Sequence, residues 1–158
     1  MKLMAIFAML LFIGAIIPVN ATLTAQDIAW GKATWPVIDI LADDCKLVSA
    51  AIDANDISMM QMACNTTKED IISAELVNHA MPVSQEMQII KDDYTSVLTC
   101  MWLGMEDIRA GYTSGNLTKF KLGTSEISQS NVYSRKMIRD MDVIAEAMKQ
   151  AQGGKENQ

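Results

Sequence analysis

Three cysteines, Cys45, Cys64 and Cys100, are the residues of this chain best suited to chemistry. Thiols pair as a disulfide in an oxidising compartment or, as thiolates, hold a soft metal ion. Cys45 and Cys64 lie nearly equidistant from the polar stretch Asp53-Ala54-Asn55-Asp56, and Cys64 and Cys100 are symmetric about Pro82. If both points are turns between antiparallel helices, residues equidistant from a turn stand at one height and the three thiols share a layer. This layout predicts one disulfide and a spare thiol. Cys45–Cys64 is the favoured pairing because both lie on apolar stripes of adjacent helices. Cys64–Cys100 is the other reachable pairing, whereas Cys45–Cys100 would join diagonal helices. A Cys45–Cys64 bridge closes a loop of about 20 residues, worth roughly 3 kcal/mol in the chain-entropy description. All three also suit the plainer role of small buried hydrophobes.

Soft-metal binding is the alternative chemistry. Met60 and Met105 fall near the same height, so Cys45, Cys64, Cys100, Met60 and Met105 form a candidate set for copper in its Cu(I) state. The run Met59-Met60-Gln61-Met62 adds thioethers, although its three methionines cannot all face one side of a helix. His79 is the only histidine. At the end of a predicted helix it suits the negative helix terminus, and without a second histidine an ordinary zinc site is not expected. No C-x-x-C-H occurs, so covalent haem is excluded, and no cofactor is implied.

Signatures of catalysis fail one by one. Gly111-Tyr112-Thr113-Ser114-Gly115 is not G-x-S-x-G. Asp53-Ala54-Asn55-Asp56 opens like a calcium loop but continues with Ile57-Ser58. The acidic pairs Asp43-Asp44, Glu69-Asp70 and Asp92-Asp93 are helical neighbours pointing about 100° apart, which reads as solvated faces. The chain is therefore expected not to be an enzyme. Asn65-Thr66-Thr67 and Asn116-Leu117-Thr118 match the N-glycosylation pattern, Asn116 better because it falls in a turn. Trp30, Trp35 and Trp102 are expected to pack in the core or at a bundle end. Alternatively, Trp30 and Trp35 line a groove between the first and third helices that suits a small apolar guest.

These residues need helices to position them. Thr24-Ala25-Gln26-Asp27 resembles a capping box with Asp in place of Glu and opens the first helix. Pro36 predicts a kink or restart near Trp35. Val37, Leu41, Cys45, Val48 and Ile52 then recur at helical spacing. Asn55 or Asp56 caps a second helix whose stripe is Ile57, Met60, Cys64, Thr67, Ile71, Ala74, Asn78 and Met81. The third is expected from Val83 or Ser84, with the cleanest stripe, Val83 through Ile90, Val97 and Met105 to Tyr112. The fourth spans residues 117–150 along Leu117, Phe120, Thr124, Ile127, Asn131, Ser134, Ile138 and Met141, with a weak first half around Gly123. Short connections favour an all-α, antiparallel up-down four-helix bundle. A shift of about 60 residues lays the first hairpin's stripes and turn on the second's, as two related hairpins would.

Residues 1–21 read as a signal peptide: Lys2, an apolar run over residues 3–17, and Val19-x-Ala21 before a cleavage at Thr22. An uncleaved anchor is the competing reading, but the run is shorter than a span of about 20 residues. The domain is then residues 22–150 and residues 151–158 a disordered tail. Ten of the 13 methionines lie beyond residue 21. The net charge of −6, without a basic cluster, excludes nucleic acid and anionic membranes as partners. The expected protein is a small secreted or extracytoplasmic bundle, without membrane insertion after cleavage. It binds an unidentified protein or small ligand, and a homo-oligomer through an exposed stripe fits as well. A copper carrier using the Cys/Met cluster is the alternative.

Overall fold

The structure, a computed structural model, describes residues 23–153. The predicted signal segment and residues 154–158 of the predicted tail lie outside the described residues. Four antiparallel helices follow one another: α1 (Ala25–Asp53), α2 (Ile57–Ala80), α3 (Gln88–Ser114) and α4 (Leu117–Gly153). No strand occurs among the described residues. The architecture is the up-down four-helix bundle that the periodicities predict.

Local chemistry explains the helix starts. Thr24 accepts from the Asp27 N–H at 3.2 Å while the Asp27 carboxylate accepts from the Thr24 N–H at 2.7 Å, a reciprocal capping box. Asp56 caps α2 by accepting from the Met59 N–H at 2.9 Å. The start of α3 differs from expectation. Ser84 donates its N–H to the Asp27 carboxylate at 2.7 Å, which ties the connection to the head of α1 in a non-helical conformation. The helix therefore opens at Gln88 instead of Val83 or Ser84.

Of the kink or restart expected at Pro36, the restart does not occur: α1 runs through the proline as one helix. Its neighbours Trp30, Thr34 and Trp35 are buried and hold the segment. The Trp30 indole N–H donates to Asn78 on α2 at 2.8 Å, and the Asn78 amide donates to Thr95 on α3 at 2.9 Å. One buried amide thus joins three helices. α4 likewise runs unbroken through the segment expected to be weak and reaches Gly153, three residues into the predicted tail.

The reason for the continuity of α4 lies in its contact with α3. Gly104, Gly111 and Gly123 bring the two backbones together. A Cβ on Gly123 would stand 2.6 Å from both the Gly104 oxygen and the Ile108 nitrogen. α3 and α4 consequently form the most extensive helix pair, while α1 and α4 barely approach. This contact rotates α4 by one residue from the predicted stripe. Gly123, Ser130 and Met137 are buried, while Thr124 and Asn131 are exposed; Met141, on the predicted stripe, is buried as expected. The core runs as two clusters. One gathers Trp30, Leu41, Ile71, Ile90, Tyr94 and Leu98, and the other Val48, Met60, Cys64, Met105 and Ile108.

The two hairpins match at a separation of sixty residues. Tyr94 donates to the Thr34 carbonyl and Tyr112 to the Ile52 carbonyl, both across sixty positions, so α1 and α3 run parallel and in register. The turns agree in detail. Asn55 and Gly115 carry the positive φ angles, 53° and 68°. The Asx residues that follow, Asp56 and Asn116, each cap the next helix three residues on.

The glycine contact makes a direct prediction. Gly123→Ala should cost about 1–3 kcal/mol in urea unfolding, because backbone rather than a flexible side chain must yield. Gly31 has open space around its Cβ position, so Gly31→Ala should instead stabilise by about 0.5–1 kcal/mol.

Candidate functional site

Four of the five sulfur-bearing residues singled out from the sequence pack in one cluster. Cys64, Met60 and Met105 are wholly or almost wholly buried, and Cys45 packs, half-buried, against the same cluster. The Cys64 Sγ lies 3.7 Å from the Met60 Sδ, one turn back along α2. Three helices position them: Cys45 on α1, Met60 and Cys64 on α2, Met105 on α3. Cys45 and Met105 hold corresponding places in the sixty-residue register that the Tyr94 and Tyr112 contacts fix. Met59 is half-buried beside the cluster and Met62 is exposed.

Cys100 does not join them, which corrects the expectation of a three-thiol layer. Contacts between α2 and α3, Lys68 with Glu106 and Gln61 with Thr113, set Cys64 level with the Met105–Ala110 region. Cys100 therefore lies more than one turn, over about 5 Å, further along α3. Both contacts are symmetric about Met87, so the later start of α3 moves the symmetry point of the connection away from Pro82. Cys100 is half-buried and its charged neighbour is Glu126 on α4. All three cysteines are free thiols here, so neither predicted pairing is formed. Among the described residues, no three His, Cys, Asp or Glu side chains gather as a metal-binding group.

The surroundings of the thiols are specific. Burial pushes both Cys45 and Cys64 up to about 11, with Asp44 adding to the first. Arg109 and Lys68 act the other way on Cys64. Lys68 pairs with Glu106, lies 4.4 Å from the centre of the Trp102 ring, and Arg109 reaches Glu106 at 3.1 Å. The Arg109 Nε is buried without a partner.

Asp44 is the residue that sequence reasoning missed. Expected on a solvated face, it is buried at 7 % exposure, and its Oδ2 has no partner. Burial, then the charge and hydrogen bonding of Asp70 across the α1–α2 seam, then Asp43, push its carboxyl up to about 6. The available signal was position: Asp44 is four residues ahead of Val48 and three behind Leu41, both on the stripe.

A groove opens between α1 and α4. It has a volume of about 190 Å³ and is lined by Leu41, Met101 and Ile127, by Ser130, Asn131 and Ser134, and by Cys45. The groove imagined beside Trp30 and Trp35 is not formed. Both rings are core, Trp30 standing edge-on to Tyr94 at 5.8 Å. A more open hollow of about 410 Å³ lies at the bundle end, between the two matching turns, against Tyr112 and Phe120. His79 is exposed in the last turn of α2. Asn65 is exposed on α2, and Asn116 is exposed but occupied in capping α4.

Compared with protein families, curated proteins and solved structures, the chain matches none. Its site is therefore argued from its own chemistry.

Asp44 gives the site a measurable signature. A carboxyl raised from 3.8 to about 6 is better tolerated folded when protonated. The fold should thus gain stability as pH falls through 6 towards 4 and lose it as pH rises back. The full effect is on the order of 3 kcal/mol. Asp44→Asn should flatten that dependence and stabilise the chain at pH 7.5 in urea titrations, since the amide donates to Asp70.

Proposed function

We propose that the protein is a small exported helical bundle that binds a ligand without transforming it, in the groove between α1 and α4. One observation carries this reading: a groove lined both by apolar Leu41, Met101 and Ile127 and by the polar Ser130, Asn131 and Ser134. Apolar lining with a few placed polar groups is the ordinary make-up of a small-ligand site. At about 190 Å³ the groove is smaller than the roughly 300–1,000 Å³ of drug-sized pockets. The guest is an uncharged, mainly apolar molecule of one or two rings with a hydrogen-bonding group.

Export rests on residues 1–21, whose basic start, apolar run and Val19-x-Ala21 ending form a cleavable signal. No helix among the described residues is long and apolar enough to cross a membrane. The net charge of −6 supports a partner other than nucleic acid. Exposed apolar side chains such as Leu47, Met62 and Leu76 leave room for self-association as part of the same reading. A second reading, a copper carrier, draws on the cluster of four sulfur-bearing residues, of which Cys45 also borders the groove.

Indole is a suitable probe for the groove. Its titration into labelled protein should shift the amide resonances of Leu41, Ile127 and Asn131 saturably, and Ala42→Trp, which fills the groove, should abolish the effect. Shifts spread over the surface, or none at all, count against the ligand reading. Intact mass of the exported chain should correspond to a start at Thr22; a mass retaining residues 1–21 removes the cleaved signal.

A further inference from the structure

The sulfurs of Met60 and Cys64 are placed as two ligands of one metal ion would be. Sulfurs bound at about 2.3 Å to a common ion stand roughly 3.8–4.0 Å apart in tetrahedral or trigonal geometry. The observed separation is 3.7 Å, without any rearrangement of the helix that carries both. Met105 closes the cluster from α3 and Cys45 from α1.

We propose that Cys45, Met60, Cys64 and Met105 form a binding site for one Cu(I) ion. The donor set selects the ion. Thioethers are soft ligands that favour Cu(I), whereas zinc takes thiolate, imidazole and carboxylate. The cluster contains neither imidazole nor a gathered carboxylate group. Cys100 is excluded from the set, and Cys45 has a role distinct from the other three. It alone borders the groove, so it is the ligand that an arriving ion meets first, while Met60, Cys64 and Met105 are sealed behind it.

Charge is conserved as follows. Cu(I) binds two thiols and two thioethers, two protons leave the thiols to solvent, and four sulfur–copper bonds form, giving a complex of two thiolates and two neutral thioethers with net charge −1. No electron is transferred. The extra negative charge falls near Lys68 and Arg109, the two cations already within electrostatic reach of Cys64. The unpartnered Nε of Arg109 supplies a donor in a buried region where an uncompensated charge is costly.

The test uses the full chain, reduced and kept anaerobic, titrated with Cu(I) against a bathocuproine chelator. One Cu(I) per chain should be retained, with a sulfur-to-copper charge-transfer band and a sulfur-only shell in X-ray absorption. Cys100→Ser should behave as the wild type. Cys45→Ala and Cys64→Ala should weaken binding by about a hundred-fold or more. Met60→Leu and Met105→Leu, which conserve volume and keep the fold by circular dichroism, should each weaken it by about ten-fold. Failure to hold Cu(I), nitrogen or oxygen in the shell, dependence on Cys100, or Met→Leu variants that bind as the wild type each overturn the site. The carrier reading rests on this site but fails separately: a chain that binds Cu(I) in this titration yet leaves its native compartment free of copper keeps the site and loses the carrier.

Discussion

The close approach of α3 and α4 through Gly104, Gly111 and Gly123 is the constraint from which the remaining geometry follows. Three glycines leave no Cβ between the backbones, and neighbouring peptide groups stand where side chains would otherwise be. Dispersion contacts gain steeply as surfaces close, so α4 is drawn onto α3 along its length. The bundle cannot then be equally tight on all sides. α4 leaves α1, and the space between them becomes the groove that Cys45 borders. Lys136 and Lys119 fasten the same seam from α4, to Asp93 at 2.6 Å and Asp107 at 3.6 Å. The pair with buried Asp93 is the firmer of the two, since an exposed ion pair contributes little.

Comparison of the two hairpins locates this asymmetry in single atoms. Where the second hairpin has Gly111 and Gly123, the first has Ala51 and Ala63 at the corresponding positions, all four buried. One methyl group at each place holds α1 and α2 further apart than α3 and α4. Apart from this the turns are alike, with Asn55 taking the left-handed conformation that Gly115 takes sixty residues later. Asparagine tolerates that region better than most side chains. Glycine adopts it without steric cost.

Much of the fold was legible in the sequence because local rules were not overridden. Thr24, Asp56 and Asn116 cap where their side chains dictate, and the stripes of α2 and α3 face inward with few exceptions. Ile57 is such an exception on α2, exposed at the bundle end, as is Leu117 at the start of α4. What could not be read was set by contacts between distant segments. The Asp27–Ser84 bond delays α3 and thereby separates Cys100 from Cys64. The glycine seam turns α4 by one residue, an outcome no apolar stripe announces because glycine contributes nothing to it. Asp44 was assigned to solvent as a charged residue, yet it sits buried on the seam where α1 meets α2, with its carboxyl pushed up to about 6 by burial and by Asp70.

The sulfur cluster and the Asp44 carboxyl occupy the same stretch of α1, and their neighbourhood explains why neither is a simple packing solution. A core built for stability alone is served by aliphatic side chains with fixed rotamers. Here the centre of the lower cluster is Met60, Cys64 and Met105, flexible or polarizable at every position. The adjacent carboxyl lacks a partner for one oxygen, a state that costs more than either a satisfied polar group or an apolar one. The first hairpin carries Cys45, Met60, Cys64 and Asp44, and Met105 joins the cluster from α3, next to Gly104 of the glycine seam. The close backbone contact through the glycines fixes the register of α3 and α4, and with it the height at which Met105 meets Met60 and Cys64.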